Sequence, residues 1–223
     1  MRHSECLAAT ICAVVALSFP VAAPAQQRSA QQDKVQEVIE QVDRQCREQS
    51  VYMIGSEKAR RLAELVAQQK PARVVECGTA VGYSGLWIAR ELQRAGQGKL
   101  TTIEIDPQRA RQAREHFEKA GLADWVDVRV GDAREVVKQL DGPIDFVFID
   151  CNYSNYLPCL LGLEDELADN ATIVADNVGI GAAGMKGYLD RVRTRHTSRT
   201  EWFDLDLPWA NRDAMEITRF SRK

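Results

Sequence analysis

Five short apolar runs in this chain each end on acidic, amide or glycine residues. The first run ends in Glu76-Cys-Gly78-Thr-Ala-Val-Gly82-Tyr-Ser84, the second in Glu104-Ile-Asp106 and the third in Gly131-Asp132-Ala133. The fourth ends in Asp150-Cys-Asn152 and the fifth in Asp176-Asn177. Gly78 and Gly82 suit a loop in which backbone approaches a ligand, with the N–H groups of a following helix open to an anion. An acid such as Glu104, about 20 residues after a glycine loop, can accept from both hydroxyls of a ribose. The middle position of the loop is Ala80, so the spacing is not the GxGxxG of a dinucleotide site. Taken alone, these glycines are equally accounted for by a tight strand–helix turn.

The elements that must carry these residues alternate. Asp33–Glu48 has Val35, Val38, Ile39 and Val42 at helical spacing behind a polar, flexible Gln26–Gln32 leader. A second helix is expected with Ser56 as its cap, Leu62, Leu65 and Val66 as its stripe, and an end before Pro71. Its Lys58-Ala-Arg60-Arg61 cluster reads as a solvated face. Strands follow at Val74-Val75, Leu100–Ile105, Val126–Val130, Ile144–Ile149 and Thr172–Ala175. Helices are expected at Gly85–Arg94, Pro107–Ala120, Arg134–Leu140, Tyr156–Leu167 and Met185–Arg195. Glu201–Leu207 and Ala214–Phe220 are two strands with no helix between them. This order predicts an α/β fold: a Rossmann-like, doubly wound, mostly parallel sheet with a C-terminal antiparallel hairpin and helices on both faces. Ligands of such a sheet bind beyond the carboxyl ends of the strands.

The composition fits one domain. Of 223 residues 45% are hydrophobic and 27% charged, with 29 Lys+Arg against 32 Asp+Glu. A net charge of −3 offers no basic excess to neutralise phosphates, which excludes the simplest nucleic-acid binder. The start has its own logic. Leu7–Phe19 is uncharged and apolar, and Ala23-Pro24-Ala25 has the small-x-small pattern of a signal peptidase site. That run is short of the ~20 residues a bilayer span needs. Residues 1–25 are therefore expected to be a signal peptide, so the protein is exported, periplasmic or secreted, with no stable membrane span after cleavage. Residues 26–50 would form a leader and helix, and 51–223 the catalytic or binding domain. Cleavage leaves 198 residues and four cysteines, Cys46, Cys77, Cys151 and Cys159. These allow three full pairings or buried free thiols.

Together, VVECGTAVGYSGLWIAR, TTIEIDPQRARQAREHF, VGDA, DFVFIDCNYSNYLP, VADNV and DAMEITRF resemble the class I S-adenosylmethionine-dependent O-methyltransferases of the cation-dependent catechol and caffeoyl-CoA type. The resemblance runs from about Val51 to Arg219. It implies that Glu76, Gly78, Gly82 and Ser84 surround the methionine part of S-adenosylmethionine and that Glu104 holds its ribose. Asp132 and Ala133 would line the adenine, Ile54 would cover the cofactor, and Asp150 would lie beside it. Asp150, Asp176 and Asn177 match the ligands of Mg²⁺ or another divalent cation. Three hard oxygen donors leave half of an octahedral shell for substrate hydroxyls and a water. Such a cation lowers a hydroxyl's pKa and orients its oxygen. Glu216 matches a position that can contact an acceptor hydroxyl, and Asn152 and Trp209 fall at the acceptor pocket.

The sequence departs from that family where its lysine base is expected: Tyr153 stands there. A phenol with a pKa near 10 acts as a base only if a cation lowers it. The other reading, slightly favoured, is that Tyr153 packs on the acceptor. Cys77 and Cys151 follow strands that are neighbours in the family's order, so they are hypothesised to lie close and to pair after export. His116 and His196 read as surface residues. The implied function is methyl transfer to a small catechol-like or phenolic hydroxyl acceptor, with a homodimer as in many relatives. The rivals are an exported, catalytically degenerate binding protein of the same fold and a nucleotide-dependent oxidoreductase, the latter disfavoured by the loop spacing.

Overall fold

The computed structural model describes residues 25–222. Helices α1 (Ala25–Gln49) and α2 (Gly55–Gln69) precede strand β1 (Arg73–Cys77). Then follow α3 (Tyr83–Ala95), β2 (Lys99–Glu104), α4 (Pro107–Lys119), β3 (Val126–Val130), α5 (Ala133–Val136) and β4 (Ile144–Ile149). The remainder is α6 (Tyr156–Leu163), β5 (Leu167–Ala175), α7 (Lys186–Arg195), β6 (Thr197–Leu207) and β7 (Ala210–Arg219). The seven strands form one sheet in the order β3-β2-β1-β4-β5-β7-β6. The first five are parallel, and β7 runs antiparallel to both β5 and β6. This is the expected doubly wound sheet with its terminal hairpin.

Both faces of the sheet are buried, and alternation divides each strand between two cores. Val74, Phe146, Phe148, Val174, Met215 and Ile217 pack with α1, α2 and α3. Val75, Val147, Ile149, Ile173, Ala175 and Ala214 pack with α6 and α7. Helix α1 belongs to the first core: Val35, Val38, Ile39, Val42 and Cys46 are all buried. At roughly 1.5–3 kcal/mol per fully buried large aliphatic side chain, that stripe suffices to dock the helix.

Several sequence expectations change in detail. The Gln26–Gln32 leader is helical, because the stripe that docks α1 holds the turns before it in register. Ser56 does not cap α2; Ile54 is the N-cap residue, with no side-chain cap bond. Tyr156–Leu167 is not one helix, since a single 3₁₀ turn at Glu164–Glu166 leads into β5 at Leu167. His116 is buried rather than superficial, its Nδ1 2.8 Å from the Val81 carbonyl oxygen. His196 lies against the Phe220 ring, centroids 4.7 Å apart. The proposed export signal lies outside the described residues, apart from Ala25 at the start of α1. No helix among the described residues is long and apolar enough to cross a membrane.

Cys46, Cys77, Cys151 and Cys159 are free thiols. Cys77 and Cys151 do approach, as the strand order implied, but each is in thiol contact with Cys159 on α6. Only Cys151 is accessible; the other three are buried. The Cys159 contact and burial push the Cys151 thiol up, so it should react more slowly than a free cysteine. Native-state alkylation followed by peptide mapping should label Cys151 at least tenfold faster than Cys46, Cys77 or Cys159. Equal rates at all four would contradict this packing.

Candidate active site

The loop after β1 and the loop after β4 meet at one point. Gly78 has φ +107°, and a Cβ there would lie 1.9 Å from the Asp150 carbonyl oxygen. The Asp150 N–H donates to the Cys77 carbonyl at 2.9 Å, which closes the contact from the other side. Only glycine fits, for reasons of both conformation and space. Gly82, at φ +93°, starts α3 against Phe117 of α4.

Glu76 lies under this loop and is fully buried. Its Oε1 accepts from Ser84 Oγ at 2.5 Å and its Oε2 from Thr102 Oγ1 at 2.5 Å. Burial is the main cause that pushes its pKa up to about 7, and the two hydroxyl donors do not reverse that. Glu104 stands at the end of β2. Its Oε2 accepts from the Ala80 N–H at 2.7 Å and its Oε1 from the Asp106 N–H at 3.0 Å, so one carboxylate braces both loops. Beside it Ile105 is 68% exposed and Val130 46%, an apolar rim at the carboxyl ends of β2 and β3. Asp132 caps α5 through the Arg134 N–H at 3.0 Å. Its side-chain pair with Arg134 holds its carboxyl below the usual range. Ala133 is buried behind it, and Ile54 is buried at the start of α2.

Asp150, Asp176 and Asn177 end the two neighbouring strands β4 and β5. Asp176 is buried and Asn177 half-buried at φ +58°, a left-handed conformation that asparagine tolerates better than most residues. Asp150 is half-buried, and no protein donor among the described residues reaches its carboxylate. Burial first, and then the Asp176 charge, push its pKa well up.

The structure adds two residues to this cluster. Lys58 of α2 is 1% exposed and donates to Asp176 Oδ1 at 2.6 Å, to Asp176 Oδ2 at 2.9 Å and to Asp213 Oδ2 at 2.9 Å. The expectation of a solvated face at Lys58 is therefore wrong, although Arg60 beside it is exposed. The available signal was positional: Lys58 precedes Leu62 by four residues and Leu65 by seven, on the buried stripe. Burial works against the ammonium, but the two carboxylates outweigh it and raise the Lys58 pKa.

The acceptor residues are distributed differently from the expectation. Glu216 is buried on the α7 face, bonded to Arg193 at 2.8 Å through both oxygens and to Thr200 at 2.5 Å. Asp213, three residues earlier, faces α2, because side chains alternate along β7. Glu216 thus lies on the sheet face opposite Asp213 and Lys58. Asn152 folds back onto Ser154, accepting from its N–H at 3.1 Å and its Oγ at 2.8 Å, and so caps a short turn. Tyr153 is 36% exposed and lies against Gly181 and Gly184: a Cβ at Gly181 would come within 2.7 Å of its ring and one at Gly184 within 3.0 Å of its Cβ. Burial first, then Asp213, Asp150 and Asp176, raise its pKa. Trp209 is half-buried, edge-on to Tyr52 at 5.4 Å. Two surface cavities of about 380 and 520 Å³ lie elsewhere, one at the amino ends of β1 to β4 and one on the β6–β7 hairpin.

A family model described as a methyltransferase domain matches residues 75–178, the stretch from Glu76 through Asn177. Catechol O-methyltransferase of Niastella koreensis is 38% identical over 52% of this chain and 53% of its own length. This chain thus spans about half of that relative. Catechol O-methyltransferase of Sus scrofa is 34% identical over 63% of this chain and 77% of its own. The chain belongs to the class I O-methyltransferases of the catechol type. Cofactor-bound Rv0187 from MTB superposes with a TM-score of 0.71 at 26% identity, covering 78% of this chain and 84% of that chain.

Glu76 yields a prediction that needs no ligand. Its folded pKa of about 7 exceeds the ordinary 4.5, so folding gains protons between those values. The destabilisation is absent below pH 4.5, grows from there to pH 7 and stays constant above it, reaching about 3 kcal/mol. Glu76→Gln should therefore raise the melting temperature of the ligand-free protein at pH 8, with the difference vanishing near pH 4.5. Thermal melts at pH 4.5, 6 and 8 check both the sign and the window.

Proposed function

We propose that this chain transfers a methyl group from S-adenosylmethionine to a hydroxyl of a small catechol-like or phenolic acceptor, with Mg²⁺ or another divalent cation at Asp150, Asp176 and Asn177. The observation that supports the reading is that Asp150, Asp176 and Asn177 follow the paired strands β4 and β5 beside the Gly78 loop, with the Asp150 and Asp176 charges close enough to interact. The donor chemistry fits a hard cation: two carboxylates and an amide oxygen. No three His, Cys, Asp or Glu side chains among the described residues form a metal-holding group, and the proposed set takes the Asn177 amide as its third donor. Asp150, half-buried next to a like charge and without a donor among the described residues, is a carboxylate that a cation would satisfy. Lys58 uses one lone pair on each Asp176 oxygen and leaves others open. When bound, the cation would lower the acceptor hydroxyl's pKa and orient its oxygen.

The chain's own residues supply the rest. Ionised Glu76 would accept from the ammonium of the methionine part, and Glu104 would accept from the ribose hydroxyls with lone pairs its two backbone donors leave free. Ile105 and Val130 offer apolar surface to the adenine near Asp132 and Ala133. The acceptor hydroxyl gives up its proton to solvent, its oxygen bonds the methyl in line, and the sulfonium sulfur keeps the pair of the broken bond as a neutral thioether, so the protein's task is alignment. Tyr153 keeps its proton under the influence of the neighbouring acids and serves as a wall of the acceptor site, as does Trp209.

Incubation with labelled S-adenosylmethionine, Mg²⁺ and a catechol panel tests the reading. Asp150→Ala should lose metal-stimulated turnover at least 100-fold, while Tyr153→Phe retains at least a third of it. Full activity in the Asp150 variant would remove the metal assignment. Donor binding with no turnover on any acceptor would instead favour the degenerate binding protein. We also propose that the chain is exported and cleaved after Ala25. Amino-terminal sequencing from periplasmic or secreted fractions should then begin at Gln26, and recovery only as full-length cytoplasmic protein would refute export.

A further inference from the structure

We propose that Asp213, held by Lys58, is a positioning residue that fixes the side-chain amide of Asn177 so that its oxygen is the atom offered to the cation. The inference rests on the reading of Asp150, Asp176 and Asn177 as cation ligands. Asp213 is 0% exposed, on the α2 face of β7, and receives four hydrogen bonds. Its Oδ2 takes Lys58 Nζ at 2.9 Å and Asn177 Nδ2 at 2.9 Å. Its Oδ1 takes the Gly179 N–H at 3.1 Å and the Ile180 N–H at 3.0 Å. A carboxylate offers about four lone-pair directions, and here all are used. Asp213 thus has nothing left for a metal, although it lies in the same cluster.

Its effect is transmitted through Asn177. A carboxylate facing an ammonium only accepts, so the Asn177 amide must turn its NH₂ toward it. Because the amide is planar, Oδ1 then becomes the free end of the side chain. Reversing the amide would set two acceptor oxygens against each other in a buried site and forfeit a charge-assisted hydrogen bond. The two backbone bonds to Asp213 Oδ1 fix the turn after Asn177, so both the residue's position and its orientation depend on the same carboxylate. Lys58 completes the device by holding Asp176 and Asp213 with one ammonium, using all three of its donors. Partners of this kind around a metal ligand are commonly worth about 10–100-fold in metal affinity.

Mn²⁺ binding, read by electron paramagnetic resonance without donor or acceptor, tests this on the full chain. Four proteins are compared: the wild type, Asp213→Asn, Asn177→Asp and the double variant that exchanges the two. Asp213→Asn should bind Mn²⁺ at least tenfold more weakly, because an amide at position 213 turns its NH₂ toward that of Asn177. Asn177→Asp should also bind more weakly, despite gaining a charged ligand, because two carboxylates then face each other without the donor between them. In the double variant the amide now at position 213 donates to the carboxylate now at position 177, and affinity should return to within about threefold of the wild type. Circular dichroism melts establish that each protein is folded. Wild-type affinity in Asp213→Asn, or a double variant no tighter than its weaker single, overturns the inference. If Asp213→Asn does not fold, the comparison of Asn177→Asp with the double variant decides it: tighter binding by Asn177→Asp refutes the positioning role. A wild type that binds no Mn²⁺ overturns the metal reading itself, a separate outcome.

Discussion

One ammonium, Lys58, lies between two buried carboxylates, Asp176 and Asp213, and three distant pieces of chain are fixed by it. Lys58 comes from the first turn of α2, Asp176 from the end of β5 and Asp213 from β7. Their separations in sequence are 118 and 155 residues. Gathering acids at the carboxyl end of a sheet is electrostatically costly, and Asp150 adds a further carboxylate nearby. A buried ion pair need not add net stability, but removing one partner from it costs roughly 3–5 kcal/mol. The arrangement therefore enforces specificity of position. If α2 shifted along the sheet, two carboxylates would be left buried and unpaired.

The Gly78 side of the cluster obeys a steric constraint instead. The absent side chain of Gly78 lets the backbone of the β4 loop pass within van der Waals contact, and this sets the distance between the Glu76 end of β1 and the Asp150 end of β4. Glu104 then ties Ala80 and Asp106 together, so the glycine loop is braced from β2. Steric closure on one side and charge pairing on the other leave the side chains between them little freedom. That is the preorganisation the proposed methyl transfer, governed by alignment, would require.

Much of this was legible in the residue order. The runs of β1, β4 and β5 are nearly continuous in apolar residues, the mark of strands buried on both faces, and each is followed by polar, acidic or glycine residues. Gly78, Gly82, Glu104, Asp150, Asp176 and Asn177 stand out in the sequence because local spacing and motif order single them out, and the fold gathers them at the carboxyl ends of its strands. Lys58 was misread because charge was weighed without its place on the α2 stripe. Glu216 was misplaced because a one-residue alternation along β7 decides which face an acid occupies, and a motif match does not carry that register. Asn152 was assigned to the acceptor pocket, yet its oxygen is taken by Ser154 two residues on.

By itself the sequence determined the elements, their parallel order and the strand ends at which chemistry could occur, since these follow from hydrophobic period, turn residues and chain connectivity. Only the tertiary structure decided which charges meet. Lys58 with Asp176 and Asp213, Glu216 with Arg193, and Cys159 with both Cys77 and Cys151 are contacts between separate elements. They depend on the rotation of a helix on its sheet and on the face of a strand. Those quantities are set by the packing of the whole core, and no local spacing encodes them.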